Sequence, residues 1–188
     1  MSHPRILALA FLACSLALAA RGATEAPEAG FTALFNGRDL TGWHHKDGPP
    51  LDGKTDADDG RWTVSPEGTM AANGAKGRVL LWTEKDFPKN FVLRLEFRAA
   101  TRTDSGIFFQ NVQLQCGDYA TYAYKQLKDF KPQDWNAIEV TVQDGTARCT
   151  CNGELLEAAL KIPATGQLAL EADRNAIEYR HVRIKELP

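Results

Sequence analysis

The sequence is short of most features that mark the common enzyme classes. It has no glycine-rich phosphate loop and no dinucleotide fingerprint. No Ser or Cys nucleophile stands with a His partner in a recognisable arrangement. No block of basic residues occurs and the net charge is −2, which argues against nucleic acid as a partner. After the N-terminal apolar stretch there is no second long hydrophobic run, so no integral membrane segment is expected once that stretch is removed. The acidic run Asp56, Asp58, Asp59 lacks the later bidentate Glu of an EF-hand loop.

Cysteine is also scarce. Of four, Cys14 lies in the apolar stretch, leaving Cys116, Cys149 and Cys151. An odd number permits at most one bridge among them, from Cys116 to one of the others. Small core residues are the favoured reading, and that bridge is the alternative. Cys149-Thr-Cys151 does not have zinc-knuckle spacing.

The first 22 residues read as a signal peptide: Arg5 supplies positive charge, and Ile6 to Ala20 form an uncharged apolar run too short to span a bilayer comfortably. Cleavage is expected after Ala19 or Gly22, giving a secreted or periplasmic protein. Lipidation at Cys14 is the less favoured alternative, because that residue lies mid-run. Residues 23–30 form a short leader, and 31–188 one domain, long enough for its own core.

Within that domain the dominant period is two. Phe91, Leu93, Leu95 and Phe97 alternate with Val92, Arg94 and Glu96. Asp144-Gly145 and Asn152-Gly153 each stand between β-formers and predict consecutive hairpins with type I′ turns, since Asn, Asp and Gly tolerate positive φ. Further strands are expected over Val112–Cys116, Leu168–Glu171 and Ile177–Ile184. In the last, Ile177 and Tyr179 are out of phase with Val182 and Ile184, which predicts a bulge near Arg180–His181 or burial of both faces. Residues 46–60 read as a long loop, and Tyr119 to Leu127 as the one short helical piece. Strands this short and numerous indicate an antiparallel two-sheet β-sandwich.

Three blocks are more specific: Phe31-Thr-Ala-Leu-Phe-Asn-Gly-Arg-Asp-Leu-Thr-Gly-Trp43, Thr103-Asp-Ser-Gly-Ile-Phe-Phe109, and Gly166-Gln-Leu-Ala-Leu-Glu-Ala-Asp173 followed by Tyr179-Arg-His-Val-Arg-Ile184. With Trp62-Thr-Val and Trp135-Asn136, they resemble the secreted bacterial 3-keto-disaccharide hydrolase domain family. The resemblance implies a concanavalin A-like jelly roll that binds ligand on the outer face of one sheet. It also implies cleavage of 3-keto-glycosides, in which the ketone acidifies the C2 proton, a base removes it, and the aglycone leaves from C1 before water adds back. That chemistry requires a base, an electrophile for the enolate and a proton donor.

Glu96, Asp104, His44 and Arg180 are the catalytic candidates this implies, with His45 beside His44. Ser105, Gln110, Gln113, Gln115, Glu171 and Asp173 are the candidates for binding the sugar. Arg180, or a divalent metal ion held by Glu171 and Asp173, would be the electrophile. Gln110 stands near a family Arg, and Gln113-Leu-Gln115 replaces Glu-x-Gln, which keeps sugar hydrogen bonding but removes a base. A carbohydrate-binding module without turnover, and a structural domain of the cell envelope, are therefore the alternatives.

Overall fold

A computed structural model describes residues 28–57 and 60–188. The signal-peptide, cleavage and Cys14 readings lie outside the described residues, as do Asp58 and Asp59. No described helix is long and apolar enough to cross a membrane.

Among the described residues, fourteen strands form two sheets. In chain order they are β1 (Thr32–Ala33), β2 (Trp43–His45), β3 (Asp56–Ala57), β4 (Trp62–Val64), β5 (Met70–Asn73), β6 (Val79–Phe87), β7 (Phe91–Ala99), β8 (Gly106–Phe109), β9 (Val112–Gln115), β10 (Asn136–Gln143), β11 (Thr146–Cys151), β12 (Glu154–Lys161), β13 (Gly166–Ala172) and β14 (Ala176–Glu186). The larger sheet runs β12-β11-β10-β7-β14-β5-β4-β3, with β1 also paired to β14; the smaller runs β2-β6-β13-β8-β9. Neighbouring strands are antiparallel throughout.

The core follows the alternation. Phe91, Leu93, Leu95 and Phe97 of β7 are buried beside Ile138, Val140 and Val142 of β10. Leu81, Ile107, Phe109, Leu114 and Leu170 face them from the smaller sheet. Phe87, Phe91 and Phe109 meet between the sheets with centroids 5.2–6.1 Å apart. The Asx-Gly pairs form the expected turns, with positive φ at Asp144, Gly145, Asn152 and Gly153. The bulge in β14 is present as well. His181 has φ +53°, and the pairing slips between Arg180↔Glu96 and Arg183↔Arg94, so Tyr179 and Val182 both point inward.

Asn36, Gly37 and Trp43 play the structural parts their types suggest. The Asn36 side chain accepts from the amides of Arg38 and Asp39, Gly37 has φ +70°, and buried Trp43 donates its indole N–H to the Leu34 carbonyl.

One expectation fails. Tyr119 to Leu127 is not helical. The Asp118 carbonyl closes a single turn onto the amides of Thr121 and Tyr122, Tyr124 takes φ +62°, and Tyr119 is drawn into the core against Phe97 and Phe130. Asn136 then holds the segment down, bonding the backbone of Lys131 and Asp134. The three cysteines are free and buried, as small core residues rather than partners in a bridge. Burial raises all three thiols, Cys149 and Cys151 to about 12.

Candidate functional site on the smaller sheet

The outer face of the five-stranded sheet is built from alternate residues of strands whose other side chains fill the core. One row across it is His44, Trp82, Ala169, Phe108 and Gln113. The next contains Leu80 and Glu171, then Gly106 paired to Gln115. Two small residues matter here. Ala169, between Trp82 and Phe108, is fully covered. Gly106 lets the Gln113 side chain lie flat across β8: an added Cβ would sit 2.5 Å from Gln113 Nε2.

Beside this face lies a groove of about 900 Å³ whose lining includes His44, His45, Trp82, Phe108, Gln110 and Gln167. The His44 ring is held at both nitrogens. Nδ1 is 2.7 Å from the His45 carbonyl oxygen, which can only accept, so Nδ1 carries the proton. Nε2 then offers a lone pair and accepts from the Gln167 amide at 2.9 Å. The ring is thus held between the His45 carbonyl and Gln167, with Nε2 at the groove wall. Gln110 occupies the β8–β9 turn at φ +57° and lies over Gly166, where a Cβ would fall 2.2 Å from the Gln110 amide. Among the described residues that amide has no hydrogen-bonding partner.

On the other side of Phe108 the face becomes ionic. Glu171 has a side chain only 3% exposed, covered by Arg78, whose Nε–H donates to Glu171 Oε1. The Arg78 guanidinium also stacks on Phe108, 5.0 Å from the ring centre. Gln113 donates to the other Glu171 oxygen at 3.1 Å. Burial raises the Glu171 carboxyl above its ordinary range, opposed by the hydrogen bond and charge of Arg78. Gln115 donates to Asp104 Oδ1 at 2.7 Å and to the Ser105 carbonyl at 3.0 Å. Arg174 Nη1 lies 3.8 Å from Asp104 Oδ2, and the backbones of the two residues form a β-bridge.

With this geometry in view, the comparisons are informative. The 3-keto-alpha-glucoside-1,2-lyase-like domain model matches residues 30–185. The chain belongs to that family. No curated protein matches the sequence significantly. Among solved structures, a candidate glycosyl hydrolase from Parabacteroides distasonis has TM-score 0.66 and 21% identity, over 85% of this chain and 95% of that one. A second candidate glycosyl hydrolase from the same organism has TM-score 0.58 and 16% identity, over 77% and 99%. The carbohydrate-binding module CBM66 of Bacillus subtilis has TM-score 0.52 and 9% identity, over 78% and 97%. At these identities the likenesses establish the fold, a β-sandwich of jelly-roll type. Family membership places the chain among carbohydrate-acting domains.

In this 3-keto-alpha-glucoside-1,2-lyase-like domain the fold brings together some of the expected site residues and separates others. His44, Gln110, Gln113, Gln115, Glu171 and Asp104 share the smaller sheet's outer face or its rim. Asp173 follows β13 at the same end, its backbone packed so closely on Gly74 that a Cβ there would lie 2.1 Å from the Asp173 carbonyl. Glu96 and Arg180 do not join them. They sit on β7 and β14 of the larger sheet, facing away from the core, with Arg180 Nε 2.7 Å from Glu96 Oε2 and its guanidinium 4.0 Å from the Trp135 ring centre. The core lies between this pair and Asp104, so the two do not belong to one site. Ser105 is corrected too. It is fully buried, and its hydroxyl donates to the Glu171 carbonyl and contacts the Tyr179 hydroxyl, leaving nothing for a sugar.

A metal at Glu171 and Asp173 does not fit. The Arg78 guanidinium occupies the Glu171 oxygen a metal would need, and no three His, Cys, Asp or Glu side chains converge among the described residues. The face also contains Arg78, Gln167 and Phe108, which sequence reasoning missed. The signal was the alternation of Arg78, Leu80 and Trp82 against Val79, Leu81 and Thr83, obscured because both sets are largely apolar.

Proposed function

We propose that this is an exported enzyme that cleaves 3-keto-glycosides in the groove beside the smaller sheet. The observation that carries the reading is His44: the His45 carbonyl holds Nδ1, and Nε2, bonded to Gln167, lines the groove beside Trp82. In this reading the keto sugar stacks on Trp82 and the Gln110 amide donates to the ketone oxygen. Gln167 releases His44 to bond a sugar hydroxyl. His44 Nε2 takes the C2 proton, the electron pair forms the enolate, and the C1–O bond then breaks with expulsion of the aglycone. The departing oxygen takes its proton from water at the mouth of the groove. Addition of water across C1–C2 completes a net hydrolysis. The signal-like N-terminal sequence supports export.

The test is aglycone release from a 3-keto-glucoside, compared with the same compound deuterated at C2. Slower release of the deuterated compound is expected, because the C2–H bond breaks in the step that His44 promotes. Equal rates together with fast release would remove base-initiated elimination from the account.

A second reading, sugar binding without turnover, has its own support. Both carboxylates on the face are engaged, Glu171 by Arg78 and Gln113, Asp104 by Gln115 and Arg174. Neutral and 3-keto-glycosides that bind with no product release would favour it.

A further inference from the structure

The groove is chemically lopsided along β6. At one end stand His44, Trp82 and Gln167. Towards the start of the strand its lining becomes cationic, with Lys46, Arg61 and Arg78. Among the described lining residues Asp47 is the one carboxylate, and Glu171 lies beneath Arg78. Arg61 is turned towards the same corner, donating to the Gly77 carbonyl next to Arg78 at 3.2 Å.

Arg78 is the informative member. Its side chain is half exposed, yet two contacts hold it: Nε–H is fixed by Glu171 and the guanidinium plane by the Phe108 ring. Its two terminal NH2 groups have no hydrogen-bonding partner among the described residues. A guanidinium locked in orientation with its terminal donors unused is suited to two parallel hydrogen bonds with a planar anion, and it loses little side-chain entropy on binding. An enolate oxygen at the His44 end does not account for a fixed guanidinium at the other.

We infer that the groove takes glycosides that carry a carboxylate, held by Arg78 with Lys46 while the reacting sugar lies at the His44 end. The inference rests on the groove being the sugar site, but not on turnover. The carboxylate is borne by a second sugar, as in a uronic acid, or by the aglycone.

The experiment measures binding by the full chain to ordinary, unoxidised glucosides that cannot react. A carboxyphenyl glucoside is compared with its methyl ester, and a glucosyl-glucuronic acid with the corresponding neutral disaccharide. The acid of at least one pair should bind about tenfold more tightly at low salt, the effect of one fixed charge-assisted pair at a half-exposed site. The pair that discriminates identifies which moiety carries the carboxylate. The preference should shrink at high salt and fall towards unity in both Arg78→Gln and Lys46→Gln, the latter on an exposed residue whose loss does not threaten folding. Acid and ester binding equally in both pairs would overturn the inference even if 3-keto-glycosides are cleaved. An acid preference that survives both substitutions would overturn it as well. An acid preference without any cleavage would uphold it and remove the catalytic reading instead.

Discussion

Gly106→Ala isolates the packing that holds the ionic half of the site. Gly106 does not have a positive φ, so alanine meets no backbone penalty there. Its Cβ would lie 2.5 Å from Gln113 Nε2 and 2.8 Å from Cγ, well inside contact distance. Gln113 must move, and with it goes the 3.1 Å hydrogen bond to Glu171 Oε2 and the 3.4 Å contact to the Ser105 carbonyl. A hydrogen bond to a charged group contributes about 1.5–3 kcal/mol, and replacing a strand glycine returns about 0.5–1 kcal/mol. The net loss is about 1–2 kcal/mol, or a fall in Tm of about 2–8 °C for a domain of this size. Urea denaturation of four proteins tests it: parent, Gly106→Ala, Gln113→Ala and the double variant. In the Gln113→Ala background the three close contacts, to Gln113 Nε2, Cγ and Cδ, are gone, and the added methyl should be neutral or mildly stabilising. If Gly106→Ala costs as much there as in the parent, the close approach of Gln113 is not the reason for glycine.

Other consequences are equally direct. Burial raises the Glu171 carboxyl above the ordinary 4.5, so the folded chain holds that proton more tightly than the unfolded chain does. Relative to Glu171→Gln, the parent should gain stability as pH falls from neutral towards 4.5 and lose that gain as pH rises through the raised value; a pH-independent difference in urea denaturation would contradict this. Cys116, Cys149 and Cys151 are buried with raised thiols, so peptide mapping after alkylation at neutral pH should find them unmodified until denaturant is added. Phe97 is fully buried against Tyr119 and Phe130, and Phe97→Ala should destabilise by about 3–5 kcal/mol in urea denaturation; a loss under 1 kcal/mol would mean that the 116–135 segment does not depend on it.

Local rules made much of the fold readable. The Asx-Gly turns and the alternation of β7 depend on neighbours in the chain, and the phase slip in β14 is visible because Tyr179 and Val182 cannot both face inward without an extra residue. The expected helix at Tyr119 fails for a nonlocal reason: the tyrosine is drawn into a core made by Phe97 and Phe130. The site was half legible for a related reason. Period two tells which side chains leave the core, but a sandwich has two outer faces that look alike in sequence. Glu96 and Glu171 both point outward by that rule, yet they lie on opposite sheets. Glu171 is buried under Arg78, 93 residues away, and Gln113. Ser105 misled because its turn resembles a ligand loop, whereas its hydroxyl serves the backbone beneath Glu171.

The central claim is that the groove beside the smaller sheet, and not the Glu96–Arg180 face, is where a keto sugar reacts. Turnover of a 3-keto-glucoside by His44→Ala and Glu96→Gln tests it most directly. Loss of a general base lowers turnover by about 10²–10⁴-fold, so His44→Ala should fall by that much while Glu96→Gln stays close to the parent. Full turnover in His44→Ala with collapse in Glu96→Gln, both proteins folded, would place the chemistry on the opposite face and contradict the account.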